Sequence, residues 1–216
     1  MKNKSLFDEN YLYYDRWFEK HPKIFETELR AIKKVIPDFK TGLEIGTGTG
    51  RFAAALGIQT GIEPSKNMAG LAKKRGIKVI DGIGESLPFK NNSFDLVLIV
   101  TTICFAKDPQ QMIKEANRVL RDNGTILIAF VDKNSPLGQN YLKNRHKSRF
   151  YKEATFFDKK EIFNLLKREG FVVEECVETL FGDDLKHLKL KIYNGCKKNG
   201  AFVVLKGRKN GIDTRC

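Results

Sequence analysis

The sequence predicts an α/β protein: a doubly wound, mostly parallel seven-stranded sheet with an antiparallel last strand, helices on both faces and an N-terminal helical lid. Three features predict it. Short apolar runs alternate with helical patterns through residues 41–131, and such alternation builds a parallel sheet covered on both faces. The run Phe94–Val100 is nearly unbroken apolar, as a central parallel strand should be. Gly46, Gly48 and Gly50 separate the first apolar run from a helical pattern, which reads as strand, tight turn, helix.

The elements follow in order. Residues 7–21 are aromatic, and Tyr11, Tyr14, Trp17 and Phe18 share a face of a short helix. That surface suits a lid over a ligand or simple packing onto the domain. Pro22 starts a second helix with Ile24, Phe25, Leu29, Ile32 and Ile36 inward, and Pro37 ends it. Residues 41–45 form the first strand, 58–65 the second. Ser65 caps a helix carrying Met68, Leu71 and Ala72. Lys73, Lys74 and Arg75 in its last turn suit the helix dipole, and Gly76 stops it. Residues 77–81 are the third strand, 82–89 a loop with a turn of helix, and 94–100 the fourth strand. Asp108 and Pro109 begin a helix with Met112, Ile113, Ala116, Val119 and Leu120 inward. Asn123-Gly124 ends it before a fifth strand at 125–131.

The pattern then changes. Residues 133–152 are polar and basic, with Tyr141, Phe150 and Tyr151 among them, and read as a partly helical excursion above the sheet. Asp158 caps a helix holding Ile162, Phe163, Leu165 and Leu166, closed by Gly170. Residues 171–180 read as an edge strand and 201–206 as the last. With no full helix between them, these two should pair antiparallel. The tail from Lys209 should fray. The expected organisation is one domain over 1–216. It comprises an N-terminal helical lid (1–40), a cofactor-binding core (41–132), a substrate-side insertion (133–157) and a C-terminal helix with edge strands (158–208).

Composition narrows the class. The 216 residues, 41% apolar, suffice for one domain with a full core. No run approaches the roughly 18 apolar residues of a membrane span. Residues 1–5 lead into an acidic, aromatic stretch and not an apolar signal core. Cys104, Cys176, Cys196 and Cys216 are scattered without a C-x-x-C pair, which argues against a zinc site or a disulfide framework and fits a reducing cytoplasm. The net charge is +13, and residues 133–216 hold 19 basic against 10 acidic residues. That bias would attract an acidic substrate or nucleic acid. The interspersed acids equally suit a solvated, lysine-rich surface.

The glycine turn is the candidate site. Glycines turn the backbone and let a ligand approach, and a helix N-terminus offers unpaired N–H groups. A dinucleotide fingerprint requires G-x-G-x-x-G, yet here Arg51 stands at the third glycine's place, against close pyrophosphate docking. Glu63, ending the second strand, could accept from two adjacent ribose hydroxyls, or cap the next helix.

At these residues the chain resembles a known family. Glu44-Ile45-Gly46-Thr47-Gly48-Thr49-Gly50, then Gly61-Ile62-Glu63-Pro64-Ser65 with Met68, is similar to the class I S-adenosylmethionine-dependent methyltransferases. The same holds for residues 82–89 followed by Asn92-Ser93-Phe94-Asp95, and for residues 115–124. Together they resemble the ubiquinone/menaquinone-biosynthesis (methyltransferase type 11) group, with its Rossmann-like sheet, over residues 41–131. Tyr14-Asp15-Arg16-Trp17-Phe18 is similar to that group's lid helix. The resemblance implies S-adenosyl-L-methionine as methyl donor and S-adenosyl-L-homocysteine as product. It implies that Glu44 with Gly46, Thr47, Gly48 and Gly50 holds the methionine part, Glu63 the ribose, and that Pro64 and Met68 pack near the adenine. Gly84 and Glu85 would face the adenine edge, the backbone near Thr101 the methionyl amine, and Tyr14 and Trp17 would close over the cofactor. One departure stands out: Ile83 replaces the acid that commonly contacts the adenine amine, leaving Glu85 or backbone carbonyls to replace it.

Methyl transfer from a sulfonium needs alignment for in-line displacement and a dry pocket, and a general base only for an acceptor whose proton is held tightly. No catalytic triad is present. No Asn-Pro-Pro-Tyr or Asp-Pro-Pro-Tyr run follows the fourth strand, and no Pro-Cys pair suits cytosine chemistry. Cys104 reads as a small wall residue, and Leu87 and Phe89 as core. Asp132, His146, Arg149 and Tyr151 are candidates to shape the substrate pocket, or are solvated loop side chains. The expected partner is a small-molecule acceptor. The alternatives are an RNA or protein methyltransferase using the basic last third, a non-catalytic S-adenosylmethionine-binding module, and a nicotinamide dehydrogenase, which Arg51 disfavours.

Overall fold

A computed structural model describes residues 6–210. The expectations for residues 1–5, for the tail beyond Asn210 and for Cys216 therefore fall outside the described residues. In chain order the elements are α1 (Leu6–Glu9), α2 (Tyr11–Lys20), α3 (Pro22–Lys33), β1 (Gly42–Ile45), α4 (Arg51–Leu56), β2 (Thr60–Ile62), α5 (Lys66–Lys74) and β3 (Lys78–Ile80). There follow β4 (Phe94–Val100), α6 (Pro109–Val119), β5 (Leu120–Val131), α7 (Pro136–Asn144), α8 (Lys159–Arg168), β6 (Phe171–Phe181), β7 (Lys189–Asn194) and β8 (Phe202–Lys209). Short 3-10 turns lie at Ile103–Phe105, Arg145–Lys147 and Tyr151–Glu153.

The strands form one sheet in the order β3-β2-β1-β4-β5-β8-β6-β7. β1 to β5 pair in parallel, and β8 enters antiparallel between β5 and β6. Alternation along β4 sorts the two faces. Leu96, Leu98 and Val100 pack with Ile24, Ile32, Phe52 and Ala72 on the α3–α4–α5 side. Val97 and Ile99 pack with Ile113, Ala116, Ile162 and Leu166 on the α6–α8 side. The caps follow from sequence: the Ser65 hydroxyl accepts from Met68 N, Asp108 accepts from Gln111 N, and Asp158 forms a capping box with Glu161. The strand order reverses at β1 and β4, the place where open α/β sheets bind ligands.

Several expectations are corrected. The sheet has eight strands, not seven, because β7 folds back on β6. β6 is consequently interior and β7 is the edge. The hairpin also brings Cys176 beside Cys196, Cα atoms 5.7 Å apart, in a disulfide that their separation of 20 residues conceals from a spacing search. α6 stops at Val119; Leu120 already pairs with Phe94, and Arg121 reaches Asp95. Asn123, with φ of 62°, turns the chain inside β5 instead of ending a helix. α3 ends at Lys33, before Pro37. Residues 7–21 form two helices, and residues 82–89 form a turn closed by an Ile83–Ser86 bridge with no helix. Phe163 is exposed, since the buried face of α8 is Ile162 and Leu166. Lys209 belongs to β8 and donates to the Leu120 carbonyl at 2.7 Å. Among the described residues no helix is long and apolar enough to cross a membrane.

Candidate active site

A cavity of about 690 Å³ opens over the C-terminal ends of the parallel strands. Ile45, Ile62, Val100 and Val131, the last residues of β1, β2, β4 and β5, form part of its floor. Its size is that of small-molecule and cofactor sites.

The glycine turn forms one wall. Gly46 has φ of 68°, and a Cβ there would lie 2.2 Å from the Thr102 side chain, so only glycine fits. Gly50, φ of 80°, lets α5 approach; a Cβ would sit 2.9 Å from Ala72. Gly46 and Thr47 donate their N–H groups to the Ile62 carbonyl, tying the turn to β2. Glu44 lies beneath the turn and accepts from Thr47 Oγ1 at 2.7 Å and Ala53 N at 3.1 Å. Burial pushes its carboxyl up to about 8, against those two hydrogen bonds and with help from nearby Glu63. Glu44, Thr47 and Gly50 thus shape the turn from behind, while Gly46 and Gly48 line the cavity.

Glu63 directly follows β2, faces the cavity and is 7% exposed. Its Oε2 accepts from Gly48 N at 2.9 Å and its Oε1 from Ser65 N at 2.8 Å. Each oxygen keeps a further lone pair. Burial raises its pKa against those two bonds. Pro64 and Met68 line the cavity beside it. Gly84 and Glu85 line the next stretch, where a Cβ on Gly84 would meet Ile45 and Met112 at 2.7 Å. Glu85 Oε1 accepts from Lys107 N at 2.8 Å, so one of its oxygens braces the loop before α6. Ile83 lines the same wall, 48% exposed. Thr101 lines the cavity at φ of 47°, with its N–H on the Ala129 carbonyl.

Aromatic side chains cover the cavity. Phe7 of α1 stacks on Phe150 at 5.1 Å between centroids and meets Phe105 edge-on at 4.8 Å. Tyr14 of α2 touches Phe7, Phe18 and Phe150, and Trp17 lines the cavity one turn on. Burial, with Glu44, Glu63 and Glu28 nearby, holds the Tyr14 hydroxyl protonated. Arg149 lies over the Tyr13 ring at 4.7 Å and donates to Asn10 Oδ1. Asp15 fixes α2 to the turn through both Arg51 and Arg75.

Of the four residues expected at the substrate side, Arg149 and Tyr151 line the cavity. Tyr151 stacks on Tyr141 at 5.3 Å. His146 is exposed on its 3-10 turn away from the cavity. Asp132 is 1% exposed, faces Lys159 at 3.4 Å and accepts from Asn134 N; it is part of the fold beneath the insertion. Sequence reasoning missed Phe7, Tyr141 and Phe150 on the walls, and Glu28 of α3. Glu28 had a signal: it sits between Ile24 and Ile32 at four-residue spacing, an acid in the apolar stripe.

Comparison with known proteins agrees with this arrangement. The model of the "Methyltransferase domain" family matches residues 43–128. A crystal structure from Thermotoga maritima, of a SAM-dependent methyltransferase described as a possible histamine N-methyltransferase, is 43% identical, with 95% of this chain and 99% of that one covered at a TM-score of 0.90. An uncharacterized protein of Methanocaldococcus jannaschii is 43% identical over 205 residues, 95% of this chain and 99% of that protein. The demethylmenaquinone methyltransferase of Staphylococcus aureus is 32% identical over 122 residues, about half of either chain. Near-complete coverage at that identity, on a sheet whose switch point carries the glycine turn and Glu63, makes the chain a member of the class I SAM-dependent methyltransferases, an enzyme that uses S-adenosyl-L-methionine as cofactor.

Proposed function

We propose that the chain transfers the methyl group to a small-molecule acceptor held in the same covered cavity. The observation that carries this reading is the aromatic cover: Phe7, Tyr14 and Phe150 meet over a space of about 690 Å³, which leaves beside the cofactor only a modest volume for an acceptor. The basic last third gives less support to a nucleic-acid acceptor than its charge suggests. Lys133, Lys159, Lys206, Arg208 and Lys209 each face a carboxylate.

The residues present fit the cofactor. Glu63 offers two lone pairs to adjacent ribose hydroxyls, and its remaining bonds fix its direction. Gly46 and Gly48 leave room for the methionine part, backed by Glu44; Pro64, Met68 and Ile83 offer an apolar slot for the adenine, with Gly84 and Glu85 along its edge. When bound, S-adenosyl-L-methionine supplies an activated methyl group for in-line displacement. The protein's part is to align and to exclude water. Tyr14 and Trp17 cover the site, and the apolar walls keep it dry. The proposed division follows the same lines: a lid in α1 and α2, a cofactor core at 41–132 backed by α3, an acceptor-side insertion at 133–157, and a C-terminal helix with closing strands to 209.

Calorimetry with S-adenosyl-L-homocysteine tests the reading. Glu63→Ala should weaken binding by about 1.5–3 kcal/mol, the scale of hydrogen bonds to a charged group. An unchanged dissociation constant would remove Glu63 from the site, and tight binding of NAD without S-adenosyl-L-homocysteine would refute the proposal.

A further inference from the structure

Glu28 is a buried carboxylate that the cofactor reading does not use. It is 8% exposed and lines the cavity. Among the described residues no hydrogen bond or ion pair engages its oxygens, whereas Glu44 and Glu63 each accept two. A carboxyl that opens only on an apolar cavity, with no partner, is costly as an anion, and such groups cluster where a ligand completes them.

Its place in the fold matters. α3 packs against β6 and β8, so Glu28 stands on the β8–β6 side of the cavity, away from Glu63 on β2. The walls there are apolar or aromatic: Val131, Leu180, Phe202, Tyr141 and Tyr151. Among the described residues, the elements that pack most on α3 bring Tyr13 and Tyr14 to the cavity as titratable groups. The nearby hydroxyls of Tyr14, Tyr141 and Tyr151 are all held protonated, each by its own burial first, with the Glu28 charge adding to it. The cations bordering the cavity, Lys107, Lys147 and Arg149, make no ion pair with Glu28.

We propose that Glu28 is the acceptor-binding carboxylate and that the acceptor is a small primary or secondary amine with an apolar body, bound as its ammonium ion. The proposal rests on the reading that donor and acceptor share this cavity. Tyr141 and Tyr151, stacked on each other, supply the aromatic wall against which the apolar body would pack. Glu28 then takes one proton from the ammonium, which frees the nitrogen lone pair. That pair forms the N–C bond as the donor's C–S bond breaks and its electrons pass to sulfur. The product leaves as a methylated ammonium, and the proton on Glu28 returns to solvent. Burial pushes this carboxyl up to about 8 without a cation beside it, so Glu28 is a carboxyl that can hold a proton at ordinary pH.

The test uses the full chain saturated with S-adenosyl-L-homocysteine. Calorimetry measures binding of 2-phenylethylamine and cyclohexylmethylamine, against 2-phenylethanol and cyclohexylmethanol. Amines should bind at least tenfold more tightly than their alcohols. Glu28→Gln should lower amine affinity at least 30-fold and leave S-adenosyl-L-homocysteine affinity within twofold, while Glu28→Asp keeps part of the preference. Wild-type amine affinity should rise with pH as Glu28 ionises, an acid limb that Glu28→Gln lacks. Alcohols binding as well as amines, amines failing to bind the loaded protein, or Glu28→Gln binding amines like wild type would overturn the proposal. So would a Glu28→Gln loss of S-adenosyl-L-homocysteine affinity, which would place Glu28 on the cofactor. Failure of the wild type to bind S-adenosyl-L-homocysteine is a separate result and refutes the cofactor reading itself.

Discussion

Removing the Asp15 carboxylate should loosen the cover over the cavity without unfolding the sheet. Asp15 Oδ1 accepts from Arg51 Nε at 2.8 Å, and Oδ2 accepts from Arg51 Nη2 at 2.7 Å and Arg75 Nη2 at 2.8 Å. The three side chains are 11%, 17% and 27% exposed, so this is a largely buried clamp between α2, the glycine turn and the end of α5. Breaking a buried ion pair by deleting one partner costs about 3–5 kcal/mol. In Asp15→Ala the loss should lie near the lower end, because Arg51 keeps Glu19 and Arg75 keeps the Thr49 carbonyl. About 3 kcal/mol corresponds to roughly a hundredfold in an opening equilibrium. Hydrogen exchange should therefore show α2 amides exchanging about a hundredfold faster while β4 and β5 amides hold, with weaker S-adenosyl-L-homocysteine binding. Burial alone would raise the Asp15 pKa; the two guanidiniums, with the Thr49 hydroxyl, overcome it and hold the carboxyl well below the usual range. The clamp's contribution is thus present above the unfolded pKa of about 3.9 and fades as pH falls towards the folded value. The difference between wild type and variant should shrink in strong acid. Unchanged exchange in α2 together with unchanged cofactor affinity would refute the clamp.

Glu44→Gln should change the pH dependence of stability. The folded carboxyl, pushed up to about 8, binds a proton that the unfolded chain gives up near 4.3, so wild-type stability falls as pH rises between those values and then levels. The variant's advantage in Tm should grow through that window; parallel Tm curves would contradict it. Cys176→Ser opens a loop of 20 residues, worth about 3 kcal/mol in the chain-entropy account. Urea midpoints of the wild type should drop on reduction to that of the variant, and a midpoint insensitive to reductant would refute the contribution.

Local signals carried most of the fold. Ser65, Asp108 and Asp158 each cap the helix that their side chain chemistry suggests, and the nearly unbroken apolar run of β4 marks the centre of the sheet. What escaped depends on partners distant in sequence. β7 alternates Leu190 and Ile192 with lysines, a period-two pattern too short to read until β6 lies beside it. The same hairpin decides that Cys176 meets Cys196 and that β6 is interior. At Leu120 the helical period continues past the point where pairing with Phe94 takes over. In the site, the glycine spacing and Glu63 were legible because their chemistry is local. Asp132 was not, since nothing nearby in sequence announces that Lys159 covers it.

Arg51 illustrates how position and chemistry combine. In sequence it only breaks a dinucleotide fingerprint; in the structure it uses that place to hold α2 over the cavity through Asp15. The distribution of charge follows the same logic. The chain carries +13, yet Glu63 and Glu28 line the cavity and Glu44 lies just behind its glycine wall. Surface lysines act on a ligand through water, where salt screens them beyond about 8 Å. The interior acids are screened less than the basic exterior, and burial destabilises each as an anion until a cation arrives. A cationic ligand relieves that penalty and a phosphate ester would add to it. The same acids thus favour a sulfonium donor over an anionic ligand, in line with Arg51 at the place of the dinucleotide glycine.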